Sequence, residues 1–581
     1  MPRGGAALHP AEYHPHAAVR ATDRPHALPP VRAAEPVRAA GASCRCAGGA
    51  ALLVHGAARG PGRAGARAGA GARARLSVPG LRHPEGVNAQ PPMHDPPPSS
   101  SAEALRARHG ARWRWLLLLT VMVGTMASIM SSTVVNVAIP GLSQQFTLGQ
   151  ARAQWVSSGF MVAMTVSMLT TPWLLARFGY RATYNGCMLL LLAGGVLGGV
   201  AQSYPLVLAA RVAEGLAAGV VQPIPAVIIM RAFEPNEQGR ASGLFGMGVV
   251  LAPALGPSIG GVLVDWFGWR SIFFMVAPFC LLALWLARRY VPTTAPGGAA
   301  TRRDETLDGV GLLLGSAGTL CLLNGLVALR AGPAVEAAAL LALAAICLAG
   351  FIGWQRRCVR LGRAPLINLA LFAWRPFAMG VLVALIYGTA LFGSTYLLPV
   401  YMQMGLGLSA SSVGAILLPA GLVLAATIPL VARWADRLPA SGLVNTGLAL
   451  LALSFAAMVT VGLAPGLWHL TALGIVGRIG LGFILPSLNL GAMRGLALPL
   501  IPQGSSVINF ARTLGGAAGI SLCGIALEWR LAAHGTSLTE GAPSAARLAA
   551  FDEVFLMLAA LCGMAMLAAR HLSTPAAGAD R

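Results

Sequence analysis

The 581-residue chain contains no lysine; all 42 of its basic residues are arginine, and only 20 acidic residues offset them. Charged residues make up 11% of the chain, against about 25% in ordinary soluble domains. So few charges cannot cover a water-facing surface of this size, and most of that surface must face lipid. A soluble enzyme, a disordered chain and a nucleic-acid-binding module are thereby excluded. Cysteine is sparse as well: nine residues, mostly inside apolar runs, supply neither a disulfide framework nor a metal set. The G-x-x-x-x-G-K-[ST] phosphate loop is missing, which disfavours an ATP-driven pump. No haem, zinc or hydrolase constellation is found. The expectation is therefore a protein that is not an enzyme and uses neither cofactor nor metal. What the sequence has in abundance is apolar residues, 56% of the total, and 71 glycines.

Residues 1–92 read differently from the rest. They carry 12 Arg, four acids and six of the 11 His among Ala, Gly and Pro, with no helix or strand periodicity. Such a composition cannot bury a core, so disorder is expected. It also lacks the basic-then-apolar layout of a secretory signal. Cys44 and Cys46 form a lone C-x-C, a weak metal signal. At Met93 the text changes to a polar, basic lead (93–113) into an apolar run, which suggests that Met93 is the initiator and 1–92 an extension.

From about Trp115, fourteen apolar runs recur, each long enough to cross a hydrocarbon core of about 30 Å at about 1.5 Å per residue. Arginine placement orients them. With both termini inside, the inner segments after Met93 hold 22 Arg, and the outer loops hold five: Arg152, Arg270, Arg330, Arg530 and Arg547. That bias, 22 against five, is what the positive-inside rule requires. The fold expected is an all-α polytopic membrane protein with fourteen spans, N-in and C-in. A six-helix bundle (114–290), linker loops with two extra helices (291–376), a second six-helix bundle (377–571) and a short inner tail (572–581) make up the chain.

The two sixes echo each other. The fourth span has Arg211 followed by Gly215, Gly219 and Pro223; the twelfth has Arg478 followed by Gly480, Gly482 and Pro486. A weakly repeated six-helix unit is how many secondary transporters are built, with the substrate site between the halves. Several segments resemble the fourteen-spanner drug:proton antiporters of the major facilitator superfamily (EmrB/QacA type). STVVNVAIP (132–140) is similar to the first-helix signature, RVAEGLAAG (211–219) to the Arg motif of helix four, and GMGVVLAPALGPSIGG (246–261) to the antiporter motif of helix five. WRSIFFMVAP (269–278), YLLPVYMQ (396–403) and INFARTLGGAAG (508–519) also fit, and the resemblance runs from Trp115 to the last span.

Glycines at 256, 260 and 261 with Pro257 allow close helix approach and a bend. Tight packing would explain them; the resemblance implies a hinge and seal where the halves meet. Arg211 and Glu214 share one helix face at i, i+3, and charge inside a span is costly and usually functional. Either they form a locked ion pair, or Glu214 is a carboxylate that takes up a proton on desolvation and releases it as Arg211 approaches. The resemblance implies an aspartate where Ser131 stands and a glutamine where Glu214 stands. Both positions lie about 13 Å below the outer end, so the proton site is expected to have moved from the first helix to Glu214.

The loop after the second span departs again, with Pro172 and Ala176 replacing the Gly and Asp of the superfamily pattern while Arg177, Gly179 and Arg181 remain. The tenth-span end keeps Asp436 with Arg433 and Arg437. Other cavity-lining candidates are Asn136, Arg478, Arg512, Tyr396 and Gln403. For Arg512 a snorkelling end position is the alternative, and for Tyr387, Tyr396, Tyr401 and Gln403 an interfacial belt. Met161, Met164 and Met168 follow helical spacing, as a plastic pocket or a helix contact.

The function expected is proton-coupled efflux of hydrophobic or cationic small molecules from a bacterial inner membrane. A dedicated exporter of one metabolite is the nearest alternative. From another class, a proton-translocating subunit of a respiratory complex would match the span count, but it would need several intramembrane Lys and Glu residues. Expected partners are the substrate, protons and the bilayer; the resemblance adds a periplasmic adaptor and outer-membrane channel, and no nucleic acid is expected.

Overall fold

A computed structural model describes residues 101–148, 150–293, 306–331, 333–463, 466–538 and 544–572. The expectations for residues 1–92, with the Met93 start and the Cys44–Cys46 pair, lie outside the described residues, as does the tail beyond 572. Among the described residues all regular structure is helical. The first group is α1 (Ala102–His109), α2 (Arg112–Gln145), α3 (Gln150–Ser167), α4 (Thr171–Val200), α5 (Tyr204–Val221), α6 (Ile224–Ala232), α7 (Gln238–Phe267), α8 (Ser271–Met275) and α9 (Ala277–Tyr290). A pair follows, α10 (Gly309–Ala331) and α11 (Ala334–Arg360). The last group is α12 (Arg375–Val400), α13 (Ala410–Ala435), α14 (Ala440–Ala457), α15 (Leu467–Met493), α16 (Ile501–Ala533) and α17 (Ala545–Ala569).

Among the described residues twelve helical stretches are long and apolar enough to cross a membrane, where the sequence leads one to expect fourteen. One of the twelve, Trp155–Val200, is 46 residues long. It is broken inside α4 at Gly179, whose φ of 78° and ψ of 174° only glycine adopts readily. The 30-residue α7 is not among the twelve.

Helices of the first and last groups pack by the same scheme. In the first group α2 lies against α7 and α9, α5 against α3 and α4, and α4 against α9. In the last group α12 lies against α16 and α17, α15 against α13 and α14, and α14 against α17. With α2, α3, α4, α5, α7 and α9 set in chain order against α12, α13, α14, α15, α16 and α17, these are the same pairs. The two groups touch chiefly through α7 on α13 and α16 on the α3–α4 junction and α6.

Lipid offers no hydrophobic drive for helix association, so close backbone approach at small residues supplies much of the packing. On α5, a Cβ added at Gly215 or Gly219 would fall on the α3 carbonyl oxygens of Phe160 or Met164. Met164 and Met168 are buried there with Phe160 and Ala218, and Met161 packs against them. The methionine stripe is a helix contact.

The α10–α11 pair sits at the periphery. Only 22% and 17% of their apolar windows are buried, against 61% for the first span and 78% for Tyr204–Ala232. One carboxylate ties the pair together: Asp308 accepts from the Gly311 amide, Trp354 Nε1 and Gln355 Nε2, each at 2.8 Å. Gln355 Oε1 in turn accepts from the Ile367 amide at 3.3 Å, linking the pair to the segment that leads into α12.

Candidate functional site

Three side chains from two helices meet in the interior of the first group. Ser131 comes from α2; Arg211 and Glu214, one turn apart, come from α5. Arg211 and Glu214 are each 1% exposed and Ser131 is 4% exposed. Arg211 Nη1 pairs with Glu214 Oε2 and also donates to Ser131 Oγ at 2.9 Å. Ser131 Oγ donates onward to Glu214 Oε2 at 3.2 Å, closing a three-membered ring of polar contacts. Arg211 Nε donates to the Val156 carbonyl at 3.2 Å, and its guanidinium lies 4.3 Å from the Phe160 ring centroid.

Small residues make the room. A Cβ on Gly194 of α4 would lie 2.7 Å from Glu214 Cγ, and one on Gly195 would lie 3.5 Å from Glu214 Oε1. Among the described residues the Arg211 guanidinium is the cation paired with this enclosed carboxylate, and protonating it would weaken that pairing. The serine that replaces the aspartate of the resemblance is therefore in direct contact with the glutamate.

A cavity lies between the two groups. Its polar lining is Gln222 and Ser242 from the first group and Asn489, Asn509 and Arg512 from the last. Arg512 Nη2 donates to Asn509 Oδ1 at 2.9 Å and to Gln222 Oε1 at 3.5 Å, spanning the divide. Beside it, Ser505 Oγ donates to the Pro223 carbonyl at 2.8 Å, also across the divide. Sequence reasoning singled out Arg512 but passed over Gln222, Asn489 and Asn509. The available signal was their position one turn from, or next to, an intramembrane Arg or Pro.

The groups close on each other at one end of the helices. Asp436, at the end of α13, accepts from the amides of Gly239 at 2.6 Å and Arg240 at 3.1 Å. These belong to the first turn of α7, so a carboxylate of one bundle caps a helix of the other. Burial pushes the Asp436 carboxyl above its ordinary range, and the two amide bonds with the Arg494 and Arg437 cations pull it back. Arg494 Nη2 donates to the Pro235 carbonyl at 3.3 Å and Arg231 Nη2 to that of Leu498 at 2.5 Å, two further ties across the same seam. The matching position in the first bundle, Ala176, has no carboxylate, so the capping is one-sided.

Losing a helix cap costs about 1 kcal/mol. Asp436→Ala should therefore move the closed–open balance of this end roughly fivefold toward open, and Asp436→Asn, which keeps an acceptor, by less. Distance distributions between spin labels at the exposed positions 236 and 438 read this directly. An unchanged distribution in Asp436→Ala would show that the cap does not hold the seam.

The remaining candidates are dispersed. Gly256 and Gly260 do not lie where the bundles meet: a Cβ on either would strike Thr133 or Val134 of α2, within the same bundle, and Gly261 faces open space. Of Pro257 the helical backbone alone is described. The part of α7 that meets the other bundle is its start, where Gly239, Gly243 and Gly246 lie against Ile428, Pro429, Ala432 and Asp436. The stretch expected to seal the bundles is thus a contact of α7 with α2. The reason is that α7 leans on α2 along one half of its length and on α13 along the other.

Asn136 is exposed and accepts from Ser157 Oγ at 2.8 Å. Tyr396 is half-buried against the core of the last group, and Gln403 is exposed. Arg177 stacks near Trp173 and Phe178, and Arg181 Nε donates to the Val291 carbonyl at 2.7 Å. Arg478, mid-way along α15, has no hydrogen-bond or ion-pair partner among the described residues.

Comparison with known proteins agrees with this architecture. The Major Facilitator Superfamily model matches residues 121–520. The multidrug resistance protein B homolog of Mycobacterium tuberculosis (strain H37Rv) is 31% identical over 426 residues, which is 71% of this chain and 77% of that protein. The multidrug export protein EmrB of Haemophilus influenzae is 27% identical over 433 residues, 73% of this chain and 82% of that one. Among solved structures, the proton:xylose symporter XylE superposes with a TM-score of 0.57 at 13% identity, covering 79% of this chain and 95% of that chain. A respiratory proton-pumping subunit is thereby set aside: the chain belongs to the Major Facilitator Superfamily, in the drug:proton antiporter family that its helix motifs resemble.

Proposed function

We propose that the chain is a proton-coupled exporter of small hydrophobic molecules, resident in a bacterial cytoplasmic membrane and working by alternating access. Relatives named as multidrug resistance and export proteins support the transport class. The observation that carries the coupling is the buried Ser131–Arg211–Glu214 contact, an acid and a base in the interior of a helix bundle with no other carboxylate among the described residues hydrogen-bonded to them.

Fourteen crossings are the reading that best accommodates the helices. A 46-residue helix would be about 69 Å long, more than twice the hydrocarbon core, so the Gly179 break is taken as the turn between two crossings. The 30-residue α7 supplies another. Both termini then lie inside, with 22 arginines against five outside. On that reading the Asp436 seam is the cytoplasmic gate, held shut, and the cavity at Arg512 lies above it.

Transport would proceed by exchanging one partner for another. With Glu214 ionised, Arg211 is held by it and by Ser131. A proton arriving from outside neutralises Glu214 and leaves Arg211 held by Ser131, Val156 O and the Phe160 face alone, so the α2–α5 contact is the element whose two states a proton distinguishes.

Everted membrane vesicles bearing the full chain test this. Acidifying the lumen should drive uptake of a lipophilic dye, and a protonophore should abolish it within seconds. Dye accumulation indifferent to the protonophore would overturn proton coupling.

A further inference from the structure

The two copies of the intramembrane arginine differ in one respect that bears on the substrate. Arg211 has Glu214 three residues on, and the two pair. Arg478, its counterpart in the other bundle, has Leu481 at the same offset, itself 2% exposed. Arg478 consequently has no carboxylate partner, nor any hydrogen bond, among the described residues.

A second unneutralised cation stands close by. Arg512 bonds only to the neutral amide oxygens of Asn509 and Gln222. The helices that carry the two arginines, α15 and α16, both pack against α12, whose Tyr387 is 3% exposed and whose hydroxyl has no protein partner among the described residues. The helices bring the three together in depth. Counting from the closed end at about 1.5 Å per residue, Arg512, Tyr387 and Arg478 sit roughly 16, 18 and 22 Å along their helices. Arg478 also shares a face of α15 with Leu485 and Asn489, seven and eleven residues on, which line the cavity.

No acid of this bundle offsets them. Its described carboxylates are Asp436 at the closed seam, and Glu528, Asp552 and Glu553 toward the far helix ends. Two cations held in a membrane interior without counter-charge are expensive, and such groups face a cavity or a ligand that supplies the missing charge. A cationic drug would meet repulsion here and no acid to bind.

We propose that Arg478, Arg512 and the Tyr387 hydroxyl form the receptor for an anionic group, a carboxylate or sulfonate, on the compound that is exported. This rests on the exporter reading and narrows it: the substrates are hydrophobic anions or zwitterions, and the cationic class expected from the sequence is disfavoured. Two guanidinium groups grip such a group through charge-assisted bonds, each stronger than a neutral one. The tyrosine hydroxyl adds a neutral donor.

Two dyes sharing a xanthene ring, anionic fluorescein and cationic rhodamine 6G, make the test. Both are titrated against the purified full chain in chloride-free buffer and offered to everted vesicles. Fluorescein should bind at least tenfold more tightly than rhodamine 6G. Arg478→Gln and Arg512→Gln should each weaken fluorescein roughly 10- to 100-fold and shift selectivity toward rhodamine, while Arg478→Lys keeps most of the anion affinity. Size-exclusion profiles and the Lys variant separate loss of the site from misfolding.

Tighter binding of rhodamine by the unaltered chain, or fluorescein affinity untouched in the Gln variants, would overturn the proposal. Export of rhodamine alone would leave the exporter reading standing without the anion site. Arginine-dependent binding of fluorescein without export would do the reverse, and binding of neither dye would remove both.

Discussion

Glu214→Gln is expected to abolish uphill, protonophore-sensitive export, to below about a hundredth of the unaltered rate, while downhill exchange of substrate persists. The glutamine matches glutamate in shape and keeps one oxygen facing Arg211 Nη1 and Ser131 Oγ, so the α2–α5 contact survives as a neutral hydrogen bond. It cannot cycle a proton. Removing one charge of a buried pair usually costs 3–5 kcal/mol because the other is left unmatched; here the cost falls at the low end, since Arg211 retains Ser131 Oγ, Val156 O and the Phe160 face. Export driven by a proton gradient and counterflow of labelled substrate at zero gradient, measured on the same vesicles, separate coupling from transport. Survival of uphill export would put the proton elsewhere. A second variant sharpens the result. Ser131 Oγ is 2.9 Å from Arg211 Nη1, so adding Ser131→Asp to Glu214→Gln restores an acid against the same guanidinium from the first helix. That double variant should recover coupled export at least tenfold over Glu214→Gln alone, and recovery of none by a folded double variant would mean that an acid beside Arg211 is not what couples.

How much of this could be read from the residues depended on whether a signal is local to one helix. The i, i+3 spacing of Arg211 and Glu214 sits on a single helix, and the depths of Ser131 and of Glu214 are each counted along one helix; both signals survive folding as contacts. What a glycine approaches is a property of two helices. The run from Gly256 to Gly261 announces a close contact without naming the partner, and the partner is Val134 of α2 rather than the other bundle. The Asp436 cap on Gly239 and Arg240 joins positions 196 and 197 residues apart, which no periodicity connects. Span counting differs in the other direction: the residues separate two apolar runs at the Arg177–Arg181 loop, whereas the helices run on from Trp155 to Val200 with one non-helical backbone angle at Gly179. Arg478 stands between these cases. Its repeat relation to Arg211 is visible in the text, yet its missing partner becomes meaningful only when Tyr387 and Arg512 arrive from two other helices.

Gly388→Val and Gly515→Val should each destabilise the last bundle by about 1–3 kcal/mol or more and, in whatever folds, displace Arg512 from the cavity. The two glycines form a reciprocal seam between α12 and α16: a Cβ on Gly388 would fall on the Arg512 carbonyl oxygen, and one on Gly515 on that of Leu385. Both obstacles are backbone, so no rotamer change relieves them and the helices must separate. Thr389 Oγ1, which donates to the Gly515 carbonyl at 3.0 Å, would lose its bond as they did. Helix-interior glycines that face open space, Gly414 of α13 and Gly563 of α17, serve as controls. Changing either to alanine should leave stability unchanged or raise it by about 0.5–1 kcal/mol, because alanine is the better helix former. Thermal unfolding in detergent reads the first effect, and fluorescein affinity of the folded fraction reads the second. The seam carries the backbone of Arg512 directly against α12, so a shift there moves the guanidinium away from Tyr387 even though neither substituted residue touches a ligand. Valine at either glycine with unaltered melting and unaltered anion affinity would mean that the helices do not pack this closely, and the position assigned to Arg512 would fall with them.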